Sequence, residues 1–429
     1  MEQQIKSLKG TRDFYPEDMA IRTWLYDNIR HISESYGYQE YEGPLLESIE
    51  LYAAKSGEEL VKEQSFVFSD RSGDLITLRP ELTPTLVRMV AQRQQELYYP
   101  LRWWSFGPFW RYERPQKGRG REFFQWNIDL IGVDSPEADA EMAAIMASFF
   151  KKVGLTSDEV IILINNRRLM DQQLADLDLP ADKRPQIYRL IDKRDKLSPK
   201  DWENYAIELG VNSSQIDGLN SLLENMDLWE QSDELIDFFK AVDALGVEDY
   251  VQYAPHIIRG LDYYTGTVFE AQAQKEGLRR AVLGGGRYDN LMSDVGGDPL
   301  PGVGFAMGDM VITLTLEEFG HLPVQRNITP APVIVTVFDK DHLFASYSLA
   351  ANLRGSGLKV ACFPIEDKLS KQFRYADRIG AKVAVVLGPE EVDNNQVAIK
   401  NLKSRDQQTV PRDEVVEAIN QILAGESPS

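Results

Sequence analysis

Two long alternating stretches, Leu101 to Tyr112 and Glu122 to Gly132, are separated only by a short loop, Pro115 to Gly120. A connection of that length leaves two neighbouring strands one simple choice, antiparallel pairing. The chain must therefore build a sheet around this hairpin. The loop and its flanks read Arg111-Tyr-Glu-Arg-Pro-Gln-Lys-Gly-Arg-Gly-Arg121. Several guanidiniums on one hairpin can surround a polyphosphate, because the planar fork of arginine makes paired bonds to phosphate oxygens. Phe123 and Phe124 follow, and one of them can stack on a base. Gln125 and Asp129 lie four apart on the second strand and so face the same side. No Gly-Lys pair occurs anywhere, so a P-loop is absent and a nucleotide would have to lie on the sheet face.

Charge supports that reading. The chain carries a formal net charge of −20, which disfavours coating nucleic acid with the whole surface. Yet residues 102 to 121 hold Arg102, Arg111, Arg114, Lys117, Arg119 and Arg121 against Glu113 alone. One concentrated basic strip on an acidic protein suits a phosphorylated ligand better than DNA. No apolar run is long enough to span a membrane, and the polar start, Met-Glu-Gln-Gln-Ile-Lys, lacks a signal core. The single cysteine, Cys362, excludes an intramolecular disulfide and any multi-cysteine metal site. The cytoplasm is the expected compartment.

The remaining pattern orders the chain. Helical spacing over 17–36 ends at Gly37, and Tyr38 to Glu42 then alternates as a strand. Phe66 to Phe68 and Leu75 to Leu78 flank a turn as a hairpin. Pro84 to Gln94 and Ala138 to Val153 read as helices, and Val160 to Ile164 as a buried strand. Residues 170–250 are acidic and helix-prone, with Leu222, Leu223, Leu235 and Phe238 as core. Sheet patterning returns at Ile257, and Gly302 to Glu318 passes from a glycine-rich strand into a helix. After Thr329-Pro-Ala-Pro332, a linker, strands and helices alternate to the end, which predicts a small separate domain with a mostly parallel sheet.

The run Arg259-Gly-Leu-Asp-Tyr-Tyr-Thr-Gly-Thr-Val-Phe-Glu270 can aim a cation and two phenols, Tyr263 and Tyr264, into one pocket, its glycines permitting tight backbone geometry. It also resembles the signature of histidyl-tRNA synthetases. Phe106 to Gly132 resembles motif 2 of class II aminoacyl-tRNA synthetases, and Gly37 to Pro44 their dimerisation motif 1. Lys9-Gly-Thr-Arg-Asp-Phe-Tyr-Pro16 is similar to that family's N-terminal segment, and Leu78-Arg-Pro-Glu-Leu-Thr83 to the strand that holds the substrate amino group. Gly284-Gly-Gly-Arg-Tyr-Asp289 and Gly302-Val-Gly-Phe-Ala-Met-Gly308 complete the catalytic set. Asp367 to Arg378 resembles the anticodon-binding domain.

The resemblance implies an α+β catalytic domain with an antiparallel sheet, in two parts (1–169 and 251–325) around a helical insertion (170–250), and a C-terminal α/β anticodon-binding domain (330–429). It implies activation of L-histidine by ATP and transfer to histidine tRNA by a homodimer. Magnesium would arrive with ATP, and neither a metal site of the protein's own nor a permanent cofactor is expected. By the same resemblance Glu81, Thr83 and Gln125 accept from the substrate ammonium. Asp129 and Tyr264 bind the two ring nitrogens, and Tyr263 and Tyr288 belong to the ring pocket. Arg111 touches the α-phosphate, Glu113 lies on the adenine side, Arg119 and Arg121 hold the terminal phosphates, and Phe123 stacks on adenine. Arg259 reaches both the histidine carboxylate and the α-phosphate, which places Arg111, Gln125 and Arg259 at the chemistry. Three positions depart from the family pattern: Asp129 where many bacterial members carry Glu, Leu82 in place of Gly, and Val311 in place of the motif 3 arginine. The alternative is a synthetase-like regulatory subunit of ATP phosphoribosyltransferase, which usually lacks the C-terminal domain.

Overall fold

The protein is described by a computed structural model covering residues 5–53, 64–194, 197–258, 263–275, 281–290, 292–293, 296–323 and 329–425. It divides into two compact units, Met1–Phe14 with Ile21–Pro323, and Val324–Ser429 with Tyr15–Ala20.

The first unit holds all but the first five residues of α1 (Pro16–Ser35), then β1 (Gln39–Glu40), β2 (Leu46–Ser48), α2 (Ile49–Ala53), β3 (Phe66–Ser69), β4 (Leu75–Leu78), α3 (Thr83–Gln92), β5 (Leu101–Trp110), β6 (Glu122–Ile131), α4 (Pro136–Lys152) and β7 (Val160–Asn166). Helices α5 (Arg167–Asp176), α6 (Arg184–Asp192), α7 (Pro199–Glu208), α8 (Ser213–Glu224) and α9 (Asp233–Ala244) follow. The unit closes with β8 (Val251–Tyr253), β9 (Thr267–Ala273), β10 (Ala281–Tyr288), β11 (Gly302–Gly308) and α10 (Asp309–Phe319).

One eight-stranded sheet, in the order β1-β5-β6-β11-β10-β9-β7-β8, organises it. The edge strands β1 and β8 pair parallel with β5 and β7, and every pairing between is antiparallel. The period-2 alternation of β6 sorts its residues by face. Trp126, Ile128 and Leu130 belong to the apolar core, which includes almost the whole of α4, and the Trp126 ring lies 5.3 Å from that of Phe149. Gln125, Asn127 and Asp129 point the other way. Helix α4 is buried nearly all round, as a helix with apolar residues on every side must be. Helices α5 to α9 share its core, with Leu222, Leu223, Leu235 and Phe238 all buried.

The second unit runs β12 (Val333–Val335), α11 (Leu343–Gly355), β13 (Val360–Cys362), α12 (Leu369–Arg378), β14 (Val383–Val386), α13 (Pro389–Asp393), β15 (Gln396–Asn401), β16 (Gln407–Pro411) and α14 (Val415–Ala424). Its sheet, β13-β12-β14-β15-β16, is parallel only at β13/β12 and β12/β14. The expected mostly parallel sheet is therefore mixed. The extra strand β16, Gln-Gln-Thr-Val-Pro, is short and polar and reads as loop, yet it finishes an antiparallel hairpin with β15.

Two further expectations are corrected. The strand over Tyr38 to Glu42 shrinks to Gln39–Glu40, paired with Trp103 and Trp104 of β5; beyond it Tyr41 packs on Trp103 and Glu42 pairs with Arg79. Sheet structure resumes at Val251 with the edge strand β8, ahead of Ile257, which lies in no strand itself, and the next strand, β9, starts at Thr267.

Candidate active site

Residues directly opposite one another across a ladder share a face. On the face of β6 that carries Gln125, Asn127 and Asp129, the β11 partners are Gly308, Ala306 and Gly304. The β10 residues beyond Ala306, Gly304 and Gly302 are Gly284, Gly286 and Tyr288. Two adjacent strands thus present almost no side chain on this face. The bareness is required at three positions. A Cβ on Gly304 would collide with the Asp129 carboxylate, one on Gly302 would meet the Tyr288 ring at 2.5 Å, and one on Gly286 the Tyr264 ring at 2.8 Å.

At one end of this bare floor lies a cavity of about 260 Å³ lined by Arg111, Glu113, Arg119, Phe123, Gln125, Gly284, Ala306, Gly308, Met310 and Val311, among others. The Arg111 guanidinium sits 5.3 Å from the Phe123 ring centre, and its Nε donates to the Pro80 carbonyl at 2.9 Å. Phe123 stacks on Phe109 with centres 6.0 Å apart. Arg119 is largely exposed and pairs with Glu113 at 3.3 Å. Of the expected phosphate-binding arginines, Arg121 is not among the lining residues. Its guanidinium lies 4.0 Å over the Tyr112 ring, and its Nε donates to the Glu113 carbonyl at 3.4 Å.

The other end is closed and aromatic. Tyr288 donates from its hydroxyl to Asp129 Oδ1 at 2.6 Å. Asp129 is 5% exposed, and among the described residues no cation pairs with it. Burial pushes its carboxyl from 3.8 up to about 7, against the smaller lowering effect of the Tyr288 hydrogen bond. Burial likewise holds the Tyr288 and Tyr263 phenols well above their ordinary range, with Asp129 adding to the first and Tyr264 and Glu81 to the second. The Tyr263 ring lies 4.9 Å from Tyr264 and 6.3 Å from Tyr288, and its hydroxyl hydrogen-bonds Thr83 at the start of α3. Glu81 is buried beside this cluster. The structure therefore brings Glu81, Thr83, Asp129, Tyr263, Tyr264 and Tyr288 together. Gln125, on the same face of β6 as Asp129, lines the arginine-bearing cavity. Arg259 falls outside the described residues.

Three features escaped the sequence reading. Arg79, fully buried, donates from Nε to the Pro108 carbonyl at 3.0 Å and pairs with Glu42, clamping β5 to the segment before α3. Tyr41 packs its ring 5.2 Å from Trp103, the cross-strand partner of Asp129, and its buried hydroxyl has no partner among the described residues. Asp309 carries a third network, described below. The departure at Leu82 is a packing residue: it is 1% exposed and starts α3.

A family model described as histidyl-tRNA synthetase matches residues 10–310, and one described as an anticodon binding domain matches residues 331–422. A histidine–tRNA ligase of Halobacterium salinarum is 38% identical over 420 residues, covering 94% of this chain and 95% of its own. The corresponding ligase of Leptospira biflexa is 33% identical over 430 residues, 98% of each. A crystal structure of histidyl-tRNA synthetase from Nostoc shares the fold with a TM-score of 0.81 at 24% identity, covering 98% of this chain and 100% of that one. An apo Staphylococcus aureus histidyl-tRNA synthetase gives 0.74 at 26% identity over 97% and 99%.

Proposed function

This chain belongs to the histidyl-tRNA synthetase family, and from that premise we propose that the bare-floored cleft is where its ligase chemistry takes place. The activity is that of a histidine–tRNA ligase, with histidine, ATP and tRNA as substrates. The histidine carboxylate attacks the α-phosphorus in line, pyrophosphate leaves, and a terminal tRNA hydroxyl then displaces AMP from the acyl carbon. The attacking carboxylate is already ionised, so positioning and charge neutralisation matter more than a protein base.

One observation supports the assignment of ends best. Asp129 is buried, paired with no cation among the described residues, and held by Tyr288, on the same strand face whose other end, Phe123 and Gln125, lines the arginine-bearing cavity. A desolvated carboxylate between phenols suits an imidazole N–H, and a cavity with Arg111 and Arg119 suits a triphosphate. On this reading Asp129 and Tyr264 take the two ring nitrogens, with Tyr263 and Tyr288 as walls. Glu81, Thr83 and Gln125 receive the ammonium. Phe123 stacks on adenine, with Glu113 on its exocyclic side. Arg111 meets the α-phosphate and Arg119 the terminal phosphates, where Arg121 joins it only by leaving the Tyr112 ring. Arg259 bridges the carboxylate and the α-phosphate. Magnesium comes bound to ATP and neutralises part of its charge, and no permanent cofactor takes part. Recognition of both ring nitrogens rejects apolar analogues by roughly 10⁴-fold, since buried polar groups would otherwise lie unpaired.

The protein works as a homodimer. Leu46, Phe66, Phe68, Ile76 and Leu78 share one face of the small sheet β2-β4-β3 by register, and Leu46 and Phe68 are exposed. Residues 251–325 complete the catalytic domain begun in 1–169, and 170–250 form its insertion. A cytoplasmic location accords with the single cysteine and with the lack, among the described residues, of any helix long and apolar enough to cross a membrane.

Histidine-dependent exchange of pyrophosphate into ATP, followed by charging of histidine tRNA, tests the proposal. Exchange that needs histidine and magnesium is expected. Its absence at saturating ATP would instead favour the regulatory-subunit reading.

A further inference from the structure

The segment before α1 is not idle. Gly10 adopts φ +89°, and its carbonyl accepts from the amides of Arg121 at 2.7 Å and Glu122 at 3.2 Å, where the arginine loop enters β6. Two residues on, Arg12 donates to Asp309 Oδ2 at 2.7 Å. The other oxygen of Asp309 accepts from the Phe124 amide at 2.9 Å. Asp309 is the first residue of α10, next to Met310 and Val311 in the cavity wall, and Phe124 sits between Phe123 and Gln125 in the opposite wall. A single buried carboxylate thus ties the two walls; Arg12 forms its ion pair, and Arg22 adds a second positive charge nearby. Phe14 and Arg22 enclose the join: the Arg22 guanidinium lies 3.5 Å over the Phe124 ring, and Phe14 meets that ring edge-on at 5.9 Å. None of Arg12, Phe14, Arg22 or Asp309 lines the cavity.

We propose that Arg12 is a positioning residue of the ATP site: through Asp309 and Phe124 it sets the separation of the walls contributed by β6 and α10. This rests on the reading of that cavity as the ATP site. The arrangement gives the first turn of α10 a task at a site where Val311 supplies no cation. The turn anchors the wall, and its negative residue sits at a helix N-terminus, where the dipole favours it. An unneutralised carboxylate would draw water or shift outward, and a wall displaced by a fraction of an ångström weakens every contact to the ligand.

The test is steady-state pyrophosphate exchange by Arg12→Ala, Arg12→Lys and Asp309→Asn, with melting temperatures alongside. Arg12→Ala is expected to raise KM for ATP about tenfold while KM for histidine stays within about twofold. Arg12→Lys should restore most of the loss, because the charge returns. Asp309→Asn keeps an acceptor for the Phe124 amide and loses the charge, so it should shift ATP alone, by less; it serves if Arg12→Ala does not fold. An unchanged KM for ATP, or equal rises for both substrates, would overturn the proposal. Should the wild-type chain show no exchange, the activity reading fails separately. Calorimetric ATP binding by the same variants then decides the role of Arg12, with a tenfold weaker Kd expected for Arg12→Ala and an unchanged one against it.

Discussion

Asp129 shows what the site asks of a single residue. Its carboxyl titrates near 7 in the folded chain against 3.8 ordinarily, because burial outweighs the help of Tyr288. Below about pH 4 the group is protonated folded or unfolded and costs nothing. As pH rises from there to about 7, only the unfolded chain releases the proton, so stability falls by up to roughly 4 kcal/mol. Asp129→Asn keeps an acceptor for the Tyr288 hydroxyl without this penalty. The variant is expected to melt higher than wild type at pH 8 and at the same temperature below pH 4, as calorimetry across pH would show. The same change should raise KM for histidine at least tenfold and leave KM for ATP within about twofold, because an amide offers one acceptor where the ring needs a carboxylate. At the other end, Arg119→Ala should raise KM for ATP about three- to tenfold without touching that for histidine, since the side chain is exposed and, on the proposed assignment, would meet the ligand at a partly solvated rim. The sequence made Asp129 and Gln125 legible because strand periodicity alone puts them on one face. It hid Asp309, whose partners lie at residues 12 and 124, and Tyr41, whose meaning depends on Trp103 lying under its ring. No local pattern encodes such distances.

Among elements, β10 and β11 matter most, and their glycines are what they contribute. Gly304→Ala places a methyl against the Asp129 carboxylate. It should raise KM for histidine by tenfold or more and lower the melting temperature, whereas alanine at Gly308, where nothing lies within 4 Å of the added carbon, should be nearly silent in both readouts. Comparing the two variants in exchange assays separates a steric effect from a general weakness of alanine on the strand. The hairpin β5/β6, helix α4 and the strand-to-helix passage into α10 were all legible, being long and strongly periodic. The failures were the short polar pieces: β16 carries too little apolar alternation, and β1 pairs with β5 over only two residues. Tertiary pairing decides such segments more than their own propensity does.

For the whole molecule, the split into two compact units has a direct test. Residues 329–425 hold their own apolar core, with Val333, Val383, Ile399 and Ile419 fully buried. A chain ending at Pro323 is expected to retain histidine-dependent exchange within about threefold while charging tRNA at least tenfold more slowly. Loss of both activities together would show the tail to be integral to the first unit. The division was legible from the Thr329-Pro-Ala-Pro332 break and the change of rhythm after it. The sharing of one core between α5–α9 and the sheet was not, because nothing in residues 170–250 alone says what their apolar faces meet. The floor of Gly284, Gly286, Gly302, Gly304, Ala306 and Gly308 has one more implication, for how such an enzyme can change over evolutionary time. Glycine cannot be made smaller. Most mutations of this floor therefore narrow the cleft, and a lineage that drifted toward a bulkier amino acid would have to carve its room from Asp129, Tyr264 or Tyr288. On the proposed assignment those are the groups that read histidine, so enlargement and loss of recognition would arrive in the same step, and the specificity would be locked by what the strand lacks.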